Sequence, residues 1–221
     1  MPKLKMPRKS TNVDMTAMCD VAFLLLTFFM LATKFKPDEP VTVVTPNSIS
    51  DIPLPDDDIM LITVDPNGRI FFSVDNQNVR ENIIRDVAEY KGLNLDENQV
   101  KAFKYGSSVG VPFNQLKSYL TLPTDEQKAI DKTTTGIPVD SVADSETNEL
   151  GAWIRIARNN NPRIRIAIKA DGNATYPEVQ KVIKTLEGWK IFKFNLITGL
   201  KAIPQGTAAY EASMGRKPKE N

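Results

Sequence analysis

The sequence predicts a single N-terminal transmembrane helix followed by a small α+β domain, with a β-hairpin, helices packed on one face of a sheet, and a helical insertion. Three observations predict it. Met15 to Thr33 (MTAMCDVAFLLLTFFMLAT) is the only apolar run of membrane grade. Ile59 to Val64 and Arg69 to Val74 are β-branched and aromatic runs flanking Asp65-Pro66-Asn67-Gly68, the signature of a β-hairpin. Farther on, apolar residues recur at helical spacing in Val79 to Tyr90, Glu146 to Arg158 and Tyr176 to Leu186, with an alternating segment between the last two. The order β-β-α-(insert)-α-β-α-β is that of a small α+β domain.

Taken in order, residues 1–14 carry Lys3, Lys5, Arg8 and Lys9 with no acid among them. The positive-inside rule places this segment in the cytoplasm and the bulk of the chain outside it, in a periplasm if the cell has one. Residues 15–33 as a helix span roughly 28 Å, about the thickness of the hydrocarbon core. Asp20 near the start of the run, the lack of a small-x-small cleavage site, and Lys34 and Lys36 at its end oppose a signal peptide. Leu24-Leu25-Leu26 and Phe28-Phe29-Met30 are apolar all round, which suits lipid better than a soluble core.

Residues 34–58 hold Pro37, Pro40, Pro46, Pro53, Pro55 and an Asp56 to Asp58 run, and read as a stiff extended linker. Within it Val41 to Val44 is strand-prone and suited to pairing with a sheet edge or a partner strand. The exported domain is assigned to residues 59–203. After the hairpin, the Val79 to Tyr90 helix stops at Gly92. Residues 93–145 form the insertion, with helices expected at Asp96 to Phe103, Pro112 to Leu120 and Thr124 to Lys132, too short to bury much core alone. The Glu146 to Arg158 helix precedes a strand at Arg163 to Lys169 and a turn at Asp171-Gly172-Asn173. The Tyr176 to Leu186 helix and a strand at Lys190 to Thr198 complete the domain. Residues 204–221 read as a flexible tail.

Composition narrows the function. The net charge of +1 gives no electrostatic reason to expect nucleic acid. The chain has no histidine, which removes the commonest general base and metal ligand. No metal-spaced cysteine cluster, nucleophile elbow or phosphate loop takes its place. The expectation is a protein that is not an enzyme and carries no cofactor or metal. Cys19 is the single cysteine, so cysteine usage does not report the redox compartment.

Asp20 is the candidate functional residue. A carboxylate inside a bilayer costs roughly 2.5–3.5 kcal/mol on insertion scales, and by default marks an ion or proton pathway. Thr16, Asp20, Leu24, Thr27 and Leu31 fall on one helical stripe by steps of three and four. Thr16 and Thr27 supply hydroxyls on the Asp20 face. The residues alone leave a second reading open, in which Asp20 sits at the headgroup level and reaches cytoplasmic water. Asp14, before the span, is the other candidate acid.

The segment Asn12-Val13-Asp14-Met15-Thr16-Ala17-Met18-Cys19-Asp20-Val21-Ala22-Phe23-Leu24-Leu25-Leu26 resembles the ExbD/TolR family of proton-driven inner-membrane motor subunits. Lys169-Ala170-Asp171, followed by Tyr176-Pro177-Glu178-Val179 and Val182, is similar to that family's strand, Ala-Asp turn and Tyr-led helix. The resemblance covers about residues 10–75 and 145–200, and the segment between resembles the longer, Bacteroidetes-type form. Ala17 stands where the family often has Pro, and Thr45-Pro46 where its linker has a Leu-Pro step.

The resemblance implies that Asp20 is the proton-carrying aspartate, with Thr16 and Thr27 as polar support. It implies a second copy of the chain, an ExbB-like or TolQ-like pentameric membrane partner, and a TonB-like energy transducer. A TolR-like role in envelope maintenance would add peptidoglycan as a ligand, for which Arg155, Arg158, Arg163 and Arg165 are the candidate basic face. A plain membrane-anchored binding domain is the alternative from a different class.

Overall fold

The computed structural model describes residues 15–32, 39, 41–48, 58–142 and 144–200. It divides into two compact units, Met1–Lys36 and Pro37–Asn221. The 1–14 segment with Asp14, Thr33, the lysines at 34 and 36, the linker stretch 49–57 and the 204–221 tail lie outside the described residues. In the first unit the described residues form one helix, α1, Met15–Ala32.

The second unit is built on a four-stranded sheet of order β3-β2-β4-β5. Strands β2 (Ile59–Val64) and β3 (Ile70–Val74) form the expected antiparallel hairpin, with Val64 opposite Ile70. Gly68 adopts φ 78° in its turn, a conformation glycine takes without steric penalty. Asp65 Oδ1 accepts from the Asn67 and Arg69 amides and closes the turn. Strand β4 (Arg165–Ala170) pairs parallel with β2 and with β5 (Asn195–Ile197).

Helices α2 (Gln77–Lys91), α6 (Glu149–Asn160) and α7 (Tyr176–Gly188) supply the facing layer. Their Ile83, Ile84, Val87, Leu150, Trp153, Ile154, Val182 and Leu186 join Met60, Ile62, Ile70, Phe72, Ile166 and Ile168 of the strands in one core. Trp153 is its hub, with its ring 5.1 Å from Phe72, 5.6 Å from Phe103 and 5.3 Å from Phe113.

The insertion folds as α3 (Glu97–Tyr105), α4 (Phe113–Thr121) and α5 (Thr124–Thr133), within two residues of the predicted helices. It has no separate core. Val100, Phe103, Leu116, Leu120 and Ile137 belong to the core of the sheet. It also covers the β3 edge, since Val109 exchanges both backbone hydrogen bonds with Phe72, and the Ile137 amide donates to Ile70 O. Side chains alternate along a strand, so Phe71 faces away from Phe72. Gly110 lies against it so closely that a Cβ there would stand 2.2 Å from the Phe71 ring. An edge paired in this way is closed to further strands.

Two local expectations are corrected. The predicted strand from Lys190 to Thr198 is strand only from Asn195. Helix α7 closes first, with the Ile191 amide on Leu186 O and Lys190 at φ 58°, and those hydrogen bonds turn the chain before it reaches β4. Val41 to Val44 is not a strand. The linker pairs instead at β1 (Asn47–Ser48), parallel to β6 (Gly199–Leu200). Val44 docks on the Asp171 turn, its amide donating to Asp171 Oδ2 at 2.7 Å and its carbonyl accepting from Gly172 N at 2.9 Å. Val43 is buried, and Glu39 pairs with Lys169. These linker residues are therefore a packed part of the domain.

Candidate functional site

Helix α1 needs no cap to explain it. Its residues are mostly Leu, Met, Ala and Phe, and in an apolar solvent the helix satisfies each backbone group internally. Its mean hydropathy over 18 residues is 2.0, and none of its residues is buried. Phe23, Leu24, Phe28 and Leu31 are each more than 60% exposed. A soluble domain would bury such residues, so this surface is built to meet lipid or other apolar helices.

Asp20 is the single formally charged residue of the helix. It lies five residues from Met15, about 8 Å along the axis at 1.5 Å per residue. Thr16 is one turn before it on the same face, at the spacing where side chains are neighbours. Thr27 is seven residues beyond, about 10 Å along the axis, too far for direct contact. Its hydroxyl donates to Leu24 O at 2.9 Å, which leaves Thr27 able to accept but not to donate. The structure thus places Thr16 and Asp20 within reach of each other and sets Thr27 apart.

In the second unit the Lys169-Ala170-Asp171 motif ends β4 and begins the turn toward α7. Asp171 receives the Val44 and Asn173 amides, and these donors hold its carboxyl below the usual carboxylate range. Tyr176 opens α7 and is exposed, while Thr175 and Glu178 cap that helix reciprocally. The motif's geometry is that of a clamp on the linker. Sequence reasoning singled out the motif but missed this role, because nothing in Val41 to Val44 marks its amide as the partner of a carboxylate 127 positions away.

Of the basic residues proposed for an acidic polymer, Arg163 and Arg165 are exposed, Arg158 is half-buried, and Arg155 is drawn over the Tyr90 and Trp189 rings.

The remaining buried charges tie elements together. Asp65 takes Arg69 Nε at 2.6 Å, and Arg69 Nη1 reaches the Asp131 and Lys132 carbonyls at 3.1 and 2.6 Å, joining the hairpin to the end of α5. Burial pushes the Asp131 carboxyl up to about 6, against the opposing effect of the Tyr119 hydroxyl that donates to it. Burial also lowers Arg80 to about 10, and its guanidinium lies 5.2 Å from the Phe103 ring.

A family model described as "Biopolymer transport protein ExbD/TolR" matches residues 6–201. Comparison with curated proteins and with solved structures gives no match.

Proposed function

The chain belongs to the ExbD/TolR family of biopolymer transport proteins, and on that premise we propose that it is the proton-carrying subunit of an inner-membrane motor. Membership makes it a biopolymer-transport motor subunit of a family that works with a TolQ/ExbB-like partner. Its one N-terminal apolar helix fits a single-pass inner-membrane protein. We assign residues 1–14 to the cytoplasm and residues 59–203 to the periplasm, from the basic residues ahead of the span. The finer reading is ExbD-like: with an ExbB-like pentameric ring and a second copy of itself, it drives a TonB-like transducer for transport across the outer membrane.

The observation that supports this reading is one carboxylate on a predominantly apolar helix none of whose residues is buried. Among the described residues no basic side chain pairs with it. In a ring of apolar helices the ionised carboxylate is costly and the protonated one is not. Protonation lets the helix pass its neighbours, and deprotonation into a water-lined exit resets it. Each proton crossing the field delivers about 2.3 kcal/mol per 100 mV. Two copies of Asp20 taking turns convert that flow into motion of the pair, which the second unit carries outward. Thr16 is the polar neighbour that steadies the carboxylate, and Thr27 continues the stripe as an acceptor.

Asp20→Asn keeps the shape and removes titration. Expressed in cells lacking the native chain, the variant should co-purify with the ring in normal amount and lose energised transport. Retention of transport at the normal rate overturns the assignment. The same cells separate the family's two branches. Loss of cargo uptake with an intact envelope supports the ExbD-like role, whereas detergent sensitivity with normal uptake supports the TolR-like one, in which the exposed Arg163 and Arg165 are available to peptidoglycan.

A further inference from the structure

Where the end of α2, the start of α4, the first turns of α6 and the end of α7 converge, aromatic and cationic side chains alternate in a row. Lys91 Nζ lies 5.1 Å from the Phe113 ring and 5.0 Å from the Tyr90 ring. The Arg155 guanidinium lies 5.0 Å from Tyr90 and 5.7 Å from Trp189. The row borders a cavity of about 40 Å³, room for two or three waters by the volume one water needs. Asp144 and Glu146, both exposed, stand on the same cavity.

Groups of both signs thus share one small cavity, yet among the described residues none of these four forms an ion pair. Arg155 also makes no side-chain hydrogen bond to a described residue, although two aromatic faces hold its plane. A guanidinium held in this way keeps its donors aimed with little rotamer entropy left to lose on binding. Glu149 also lines the cavity. Its carboxylate accepts the Phe113 amide at 2.7 Å and attracts Lys91, so it offsets part of the Lys91 charge and leaves Arg155 as the principal base of the cleft.

We propose that this cleft binds a short peptide-like zwitterion, its terminal carboxylate on Arg155 and Lys91 and its amino group at Asp144 and Glu146. The cavity admits one carboxylate with a water, and the rest of the ligand lies along the open rim, where Tyr90 and Trp189 offer apolar faces. A simple anion would meet Asp144, Glu146 and Glu149, and a simple cation Arg155 and Lys91. The pairing of signs therefore selects a ligand that carries both. Because Phe113, Asp144 and Glu146 come from the insertion or its return to α6, the site depends on the segment that the short members of the family lack. It is independent of the proton path at Asp20.

The test uses full-length protein in detergent micelles and trialanine as the probe, with its C-terminal amide and its N-acetyl form as controls. Trp189 lines the cavity and Trp153 is in the core, so a fluorescence change on binding reports the cleft, and calorimetry supplies the affinity. Trialanine is expected to bind, and each blocked form to bind about tenfold to a hundredfold more weakly, as loss of a charge-assisted hydrogen bond implies. Arg155→Gln should lose affinity to the same degree and Arg155→Lys by less. Circular dichroism and melting of both variants confirm that the fold is kept. No binding of trialanine, equal binding of the amide, or wild-type affinity in a folded Arg155→Gln protein each overturns the proposal and leaves the row as a structural clamp between helices.

Discussion

The two units of the chain treat charge in opposite ways. In the unit that begins at Pro37, the buried charged side chains have polar or aromatic neighbours, some in the same turn and some in other elements. Asp65 is clasped by Arg69, Asp131 by the Tyr119 hydroxyl, Asp171 by the Val44 and Asn173 amides, and Arg80 lies over Phe103. In the unit that ends at Lys36 the single charge of α1 sits among exposed apolar side chains. Most buried charges of the domain thus have a neighbour within the chain, whereas the charge of the helix has none among the described basic residues. On the proposed function, the carboxylate of Asp20 is completed by groups supplied from outside the chain.

The largest expected effect is therefore at the incomplete site. Asp20→Asn should abolish energised transport while the melting temperature of the second unit stays within a degree or two, as separate denaturation and transport assays would show. A large loss of domain stability in that variant would break the comparison.

Next comes the hub of the second unit. Trp153→Ala removes a side chain that touches Phe72, Phe103 and Phe113 together, and should lower stability by about 3–5 kcal/mol. Hydrogen exchange should then rise in α3 and α4 as much as in α6, because insertion and sheet share one core. Exchange confined to α6 would mean that the insertion is held independently.

Arg69→Gln leaves Asp65 buried without its cation and frees the carbonyls at the end of α5. A cost of about 3 kcal/mol is expected, read by urea denaturation, with amide protection lost first near Gly136. A smaller effect comes from Asp131. Its folded carboxyl titrates near 6 rather than near 3.8, so the folded chain keeps a proton that the unfolded chain releases between those values. Stability therefore falls as pH rises through that window and stays lower above it. Asp131→Asn should flatten this slope and raise stability at pH 7.5 by about 1–3 kcal/mol, which denaturation at pH 4.5 and 7.5 would show. A steeper slope in the variant would contradict the burial argument.

The smallest effect is expected at Thr27. Its hydroxyl proton is engaged by Leu24 O, so Thr27→Val should leave transport within about twofold of normal, since only a weak local hydrogen bond is lost.

What was legible in the sequence was the local part of this arrangement. The hairpin followed from Asn67-Gly68, α2 and its end from the apolar period and Gly92, and the membrane helix from composition. The insertion's helices were placed well, but their destination was not, because Phe103 and Phe113 meet Trp153 across 50 and 40 positions of sequence. The start of α6 was placed three residues early. Asn148 is its cap, with its side chain taking Gly151 N and reaching Thr185 of α7, a tertiary contact that no periodicity shows. The linker's docking on Asp171 was hidden for the same reason. At the candidate site Asp20 stood out because its cost in an apolar run is local, while the row from Phe113 to Trp189 exists only once four helices meet.

The central claim is that the Asp20 carboxyl carries protons. Its most direct test is proton flux through the full-length protein and its ring partner, reconstituted in liposomes under an imposed potential and pH difference. Flux is expected with the native chain, reduced flux with Asp20→Glu, and the background of empty liposomes with Asp20→Asn. Flux through the Asp20→Asn complex at the native rate would contradict it.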